Sequence, residues 1–183
     1  IIIEQFLKFT SKNSIKHILD VGTGSGCIIV SILKERINCY GTALEISKKA
    51  INIAKYNAKM HHLQNKIKFI NIDIDKFNHN KYDFIVSNPP YIKNFDIKRL
   101  EDSVRLFEPH LALNAGLDGL SIIRKLILKS KLLLKKNGKL IFEIGENQLP
   151  FSKHLLKTYG FYINEIHKDI NKIPRTIVST KIN

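Results

Sequence analysis

The segment that most constrains this chain runs from His17 to Val30. His17-Ile18-Leu19-Asp20-Val21 has the look of a short buried strand, Gly22-Thr23-Gly24-Ser25-Gly26 is a glycine-rich turn, and Cys27-Ile28-Ile29-Val30 opens a helix. A strand that passes through such a turn into a helix makes a nucleotide-type cradle. The glycines fall at alternate positions rather than in the G-x-G-x-x-G spacing that sets a helix N-terminus against a pyrophosphate. A ligand without a pyrophosphate is therefore favoured, held by Gly22, Thr23, Gly24, Ser25 and Gly26.

The next strand candidate, Cys39 to Leu44, ends in Glu45, about twenty residues beyond the glycine turn, where an acid that accepts from both ribose hydroxyls is expected. Glu45 can equally cap the following helix, since Ser47 and the run Lys48 to Met60 look helical. After the strand Lys66 to Asn71 come Asp73 and Ile74, an acid and an apolar side chain placed to bracket an adenine ring. The alternative is that Asp73 only opens a loop.

A second marked segment is Asn88-Pro89-Pro90-Tyr91, directly after the apolar run Phe84 to Ser87. Each proline fixes φ near about −65° and lacks an N–H, so the Asn88 side chain and the Pro89 carbonyl are free to face a cleft instead of joining a sheet ladder. Together they form an acceptor pair suited to a planar NH2 group, whether a glutamine or asparagine amide or the exocyclic amine of a base. Alone, the segment reads equally well as a strand-ending turn.

In order along the chain, Ile85 to Ile92, Phe107-Glu108-Pro109 with Ala112-Leu113, Gly116 to Leu120, Phe142-Glu143-Ile144-Gly145 with Gln148, and Ile173-Pro174-Arg175 resemble the sequence blocks of the protein-(glutamine-N5) methyltransferases of the HemK/PrmC family. These are class I S-adenosylmethionine-dependent methyltransferases that act on peptide-chain release factors. The resemblance covers nearly the whole chain. It implies S-adenosyl-L-methionine as cofactor, bound by Gly22, Thr23, Gly24, Ser25, Gly26, Glu45, Asp73, Ile74 and Asn88. It also implies a release-factor glutamine as substrate, gripped by Asn88, Pro89, Pro90 and Tyr91, with Asn88, Pro89 and Tyr91 catalytic. Short Asn-Pro-Pro-Tyr motifs also occur in adenine-N6 nucleic-acid methyltransferases, but the block from Phe107 to Leu120 is more specific to the glutamine enzymes. Many relatives carry Asp where this chain has Glu45, a change that lengthens the reach to the ribose and keeps both acceptors. Family members usually have a helical N-terminal domain ahead of the point where Ile1 falls, so residues 1–183 are expected to be the catalytic domain of a longer architecture.

One domain of 183 residues, 44% hydrophobic, suffices for a sizeable core. Helix Gly119 to Leu134, strand Lys139 to Ile144, helix Leu149 to Tyr159, and final strands at Tyr162-Ile163 and Thr176 to Thr180 continue the strand–helix alternation. That pattern calls for an α/β doubly wound sheet with helices on both faces. A mostly parallel seven-stranded, Rossmann-like sheet with an antiparallel last strand is what the resemblance implies.

No apolar stretch is long enough to span a bilayer and no signal-peptide pattern is visible, so a cytoplasmic protein, monomeric and without a membrane partner, is the expectation. Cys27 and Cys39 lack metal-site spacing and read as reduced packing residues. The seven histidines are scattered, the adjacent pair His61-His62 cannot make a helical ligand pair, and no metal is expected. The net charge of +14 is compatible with nucleic acid. However, lysine is abundant throughout, and the cluster from Lys125 to Lys136 needs only to be the solvated face of an amphipathic helix. With no tryptophan and Tyr91 the one obvious stacking ring, nucleic acid is not the expected substrate. A ribosomal protein is an alternative glutamine substrate. Asp20 is read as orienting the glycine turn or meeting the cofactor's amine, Glu108 and Asp118 as structural, Arg175 as structural or a partner contact, and the stretch between Tyr91 and Gly119 as a lid or docking loop.

Overall fold

In the computed structural model, residues 1–89 and 120–182 are described below. Seven strands form one sheet: β1 (His17–Val21), β2 (Tyr40–Glu45), β3 (Ile67–Asn71), β4 (Tyr82–Ser87), β5 (Leu134–Glu143), β6 (Phe161–Lys168) and β7 (Pro174–Lys181). Among the described residues five helices alternate with them: α1 (Ile2–Lys8), α2 (Cys27–Glu35), α3 (Lys48–Met60), α4 (Ser121–Leu133) and α5 (Leu149–Thr158), with one 3-10 turn at Ile74–Lys76. The spatial order is β3-β2-β1-β4-β5-β7-β6. Strands β3, β2, β1, β4 and β5 pair in parallel, and β7 runs antiparallel to both β5 and β6. The expected doubly wound, mostly parallel seven-stranded sheet is therefore what the chain forms.

Alternate residues of each strand point to opposite faces, and each face has its own core. Ile18, Ala43, Phe84, Val86, Ile141 and Val178 pack under Phe6 of α1 and Ile29, Ile32 and Leu33 of α2. Leu19, Leu44, Ile85, Leu140, Phe142 and Ile177 pack under Ile123, Leu126 and Ile127 of α4 and Leu155 and Leu156 of α5. This two-sided burial is why the central strands read as continuous apolar runs rather than alternating ones. At Gly41 a Cβ would stand 2.8 Å from the Ile29 side chain, so the absent side chain lets α2 lie close against β2.

Several boundaries differ from the sequence reading. Helix α1 had no counterpart in it, because seven residues leave too short a window for helical periodicity. Strand β5 begins at Leu134 rather than Lys139: Lys135, Lys136 and Asn137 are exposed and polar, and the β4 ladder is irregular between Tyr82 and Phe84. Lys135 and Lys136 thus belong to a strand, while Lys125 and Lys131 do lie on the exposed side of α4. Strand β6 extends to Lys168, since an edge strand tolerates the polar Asn164, Glu165 and His167. The helix start at Gly119 falls outside the described residues, and α4 runs from Ser121. Cys39 is buried and donates from Sγ to the Ser14 carbonyl at 3.3 Å, but Cys27 is exposed and is not a packing residue. His17, His61, His62, His79 and His154 are exposed, whereas His167 is half-buried and bonded to Glu165 at 2.8 Å. No described helix is long and apolar enough to cross a membrane.

Arg36, at the end of α2, is 8% exposed and ties α1 to α2. Its Nη2 donates to the carbonyls of Leu7 (3.0 Å) and Thr10 (2.9 Å), and its Nε to Thr10 Oγ1 (3.1 Å). The cation thus sits on the C-terminal carbonyls of α1, where its charge also meets the favourable end of the helix dipole. Arg36→Met keeps the aliphatic stem but strands these acceptors, and a loss of about 2–3 kcal/mol in urea unfolding is expected. An unchanged midpoint would show that α1 is held by its apolar contacts alone.

Candidate functional site

The register of three parallel strands builds the site. Val21 pairs with Leu44 on one side and Ser87 on the other. One residue further on, Gly22, Glu45 and Asn88 consequently emerge side by side at the carboxyl edge of the sheet. Ser87 locks the level by donating from Oγ to the Val21 carbonyl at 2.8 Å in a buried position. Open sheets take their ligands at such an edge, where β1 and its neighbours diverge.

The glycine turn wraps over the end of β1. The N–H groups of Gly22 and Thr23 both donate to the Leu44 carbonyl (2.9 and 3.0 Å), and Gly26 N–H donates to the Thr23 carbonyl (2.8 Å). Gly22 and Gly24 have φ of +69° and +55°, a left-handed backbone that favours glycine, and a Cβ at either would enter open space. That open space lies above the strand ends, where the sequence reading expects a cradle. Gly26 serves differently: its φ is +81°, and a Cβ there would lie 3.1 Å from the Ala54 Cβ, so it lets the turn close onto α3. Thr23 is buried with its hydroxyl turned inward, while Ser25 is exposed.

Glu45 spans the turn and the next helix. Its Oε2 accepts from Gly24 N–H (3.0 Å) and its Oε1 from Ser47 N–H (2.9 Å), which leaves each oxygen with further acceptor capacity toward the cleft. The cap of α3 is Ser47, whose Oγ accepts from Ala50 N–H at 3.3 Å, so that job does not fall to Glu45. Asp73 caps the 3-10 turn through Asp75 N–H (2.9 Å), a local role compatible with either sequence reading of it. Ile74 is 8% exposed and packs mostly into the core beneath α4.

Asn88 is exposed beyond the end of β4, and Pro89 is buried. Pro90, Tyr91, Glu108, Asp118 and the expected lid loop lie outside the described residues. One group given no role from the sequence belongs to the same edge. Phe142 pairs with Ser87, so Glu143 ends β5 beside Asn88, half-buried, its carboxyl pushed up by burial against the opposing pull of Arg175. The available signal was the one that drew attention to Glu45: an acid closing a buried parallel strand.

Beneath the turn lies Asp20, fully buried. Its Oδ2 accepts from Thr23 Oγ1 at 2.6 Å, and its Oδ1 has no hydrogen-bond partner among the described residues. Burial pushes this carboxyl up to about 7, against the pull of the Thr23 hydroxyl and the Ile29 amide, with Glu45 adding to the rise. Among the described residues no three His, Cys, Asp or Glu side chains converge as metal ligands.

The family model "Methyltransferase small domain" matches residues 4–104. A bifunctional methyltransferase of Rickettsia typhi is 38% identical over 96% of this chain, and a release factor glutamine methyltransferase of Clostridium acetobutylicum is 34% identical over 99% of it. The chain spans 35% of the former's length and 65% of the latter's. Among solved structures, the ribosomal protein L11 methylase of Lactobacillus delbrueckii subsp. bulgaricus superposes with a TM-score of 0.72 at 20% identity, covering all of this chain and 76% of that one. A methyltransferase from Pyrococcus furiosus gives 0.72 at 18% identity over 98% of this chain and 81% of its own. These structural likenesses establish the fold.

Asp20 gives the site a pH signature. An acid whose folded-state pKa lies above its unfolded value binds an extra proton in the fold, so its contribution is present at low pH and lost as pH rises through about 7. Asp20→Asn removes that liability, and its thermal midpoint is expected to exceed the parent's at pH above the Asp20 range by about 2–8 °C, with the gap closing toward pH 5. A gap that is equal at both pH values would assign the effect to packing.

Proposed function

The chain belongs to the methyltransferase small domain family, and from that premise we propose that it transfers the methyl group of S-adenosylmethionine to the side-chain amide nitrogen of a protein glutamine. The release-factor Gly-Gly-Gln loop is the proposed substrate, and the relative named release factor glutamine methyltransferase supports that choice. The observation that carries the reading is the alignment of Gly22, Glu45 and Asn88 at one sheet edge. It sets a cofactor cradle beside an acceptor for an NH2 group.

The residues fit this cofactor. Gly22 and Gly24 leave room for its methionine portion over β1, and the Glu45 carboxylate, steadied by two backbone amides, accepts from the ribose hydroxyls. Asp73 stands beyond β3 on the adenine side. The bound cofactor supplies an electrophilic methyl on a sulfonium.

A glutamine amide is a poor nucleophile because its nitrogen lone pair is delocalised into the carbonyl, and no side chain usefully deprotonates it at neutral pH. Positioning must do most of the work. The Asn88 side-chain oxygen and the Pro89 carbonyl each accept one N–H, which favours a pyramidal nitrogen whose lone pair faces the methyl. These contacts strengthen as positive charge develops on nitrogen, so they favour the transition state over the bound substrate. The role proposed for Tyr91, from its place in the Asn-Pro-Pro-Tyr segment, is to close the pocket against the flat amide.

The decisive experiment is transfer of labelled methyl from S-adenosylmethionine to a release factor carrying Gly-Gly-Gln, beside a Gln→Ala control and duplex DNA. Label confined to the Gln protein is expected; label on DNA would reassign the clamp to adenine. Asn88→Ala is expected to lower kcat by about 100-fold or more while cofactor affinity stays within about threefold. Equal losses in both would mean that Asn88 serves binding only.

A further inference from the structure

We infer that Glu143 is the proton acceptor of the methyl-transfer step, taking the N–H proton that the glutamine nitrogen sheds once its bond to the methyl carbon forms. This rests on the glutamine reading above and adds to it the residue that completes the proton balance. As the C–N bond forms, the S–CH3 bond breaks and its electron pair stays on sulfur. The nitrogen, now carrying both of its hydrogens and a methyl, is cationic and must lose one proton. Asn88 and Pro89 cannot take it, because an amide oxygen accepts a hydrogen bond but is far too weak a base to hold a proton at neutral pH.

Position singles out Glu143. Strands β4 and β5 run parallel with Val86 opposite Ile141 and Ser87 opposite Phe142, so Asn88 and Glu143 stand next to each other at the edge. They share a face, because Val86 and Ile141, two residues back, lie in the same core beneath α1 and α2. Phe142 and Ile144 point the other way, into the core beneath α4 and α5. Ile144 N–H donates to the Arg175 carbonyl (2.8 Å) and Gly145 N–H to Gln148 Oε1 (2.8 Å), which secures the backbone after Glu143. Its other neighbour, Thr176 of β7, is uncharged and buried.

The charge felt by Glu143 is the Arg175 guanidinium, whose Nε donates to Asp169 Oδ2 at 2.9 Å. Among the described residues none forms a hydrogen bond or ion pair with the Glu143 carboxylate, in contrast to Glu45, Asp83 and Asp169, each of which has partners. A half-buried carboxylate without a partner, raised in basicity by that burial, is what a proton acceptor beside an amide requires.

The test uses the full chain, with Glu143→Gln and Glu143→Asp beside the parent, read by kcat against pH and by calorimetric S-adenosylmethionine affinity. Glu143→Gln is expected to lower kcat about 10- to 100-fold, the low end of general-base effects, because a methylated amide is already a strong acid. It should also abolish the fall in kcat toward low pH. Glu143→Asp should restore most of the rate, and cofactor affinity and thermal midpoint should match the parent in both. A Gln variant with parental kcat and an intact acidic limb overturns the inference, and so does a loss of cofactor affinity equal to the loss of rate. A parent protein that methylates no glutamine overturns the glutamine reading and this inference with it, an outcome distinct from an active parent with an unaffected variant.

Discussion

The structure depends on the register of β1 between β2 and β4. Two largely buried parallel pairings place Val21 level with Leu44 and Ser87, and the Ser87 hydroxyl ties β4 to β1 by a side-chain bond to the Val21 carbonyl. A slip by one residue would turn every buried side chain of a strand toward the other core. Since both faces are apolar and filled, such a slip is penalised on both sides. The same packing that stabilises the sheet therefore sets Gly22, Glu45, Asn88 and Glu143 abreast, and the site inherits its precision from the core rather than from its own contacts.

Asp20 shows what that arrangement costs. A carboxyl buried under the glycine turn, with one oxygen unbonded among the described residues, works against folding once it ionises. The Thr23 hydroxyl and the amide of Ile29 in the first turn of α2 offset part of that cost, and the bond from the Thr23 hydroxyl ties the turn to β1. An apolar residue in its place would leave the Thr23 hydroxyl without its acceptor. The charge and the shape of the turn are thus one arrangement, in which stability is given up for a fixed loop.

Much of this was legible in the sequence because it was local. The strand, glycine turn and helix from His17 to Val30 carry their own signals, as does helix Lys48 to Met60 with its Ser47 cap, and both stand as read. What could not be read was non-local. The start of β5 at Leu134 depends on the pairing of Leu134 with Tyr82 of β4, and the length of β6 depends on its being an edge. Glu45 left two roles open because the choice turned on whether Gly24 N–H or a helix end would meet its carboxylate; in the fold it meets the turn and leaves the cap to Ser47. Glu143 carried no role because only the β4 register brings it to Asn88.

The charge composition points one way and the site another. A chain with a net charge of +14 reads as a polyanion binder, yet acids gather at the carboxyl edge of the parallel strands: Asp20, Glu45, Asp73 and Glu143 close or underlie β1, β2, β3 and β5. Charges within a few ångströms across a partly desolvated cleft interact more strongly than those separated by solvent, where salt screens beyond about 10 Å. A ligand in the cleft therefore responds to these carboxylates more than to lysines on the far helices. A sulfonium and an ammonium on a small molecule match such an edge, whereas a phosphate backbone laid along it would meet repulsion at each strand end. Part of the excess lysine lies on the exposed sides of α3 and α4 and at the start of β5, away from this edge.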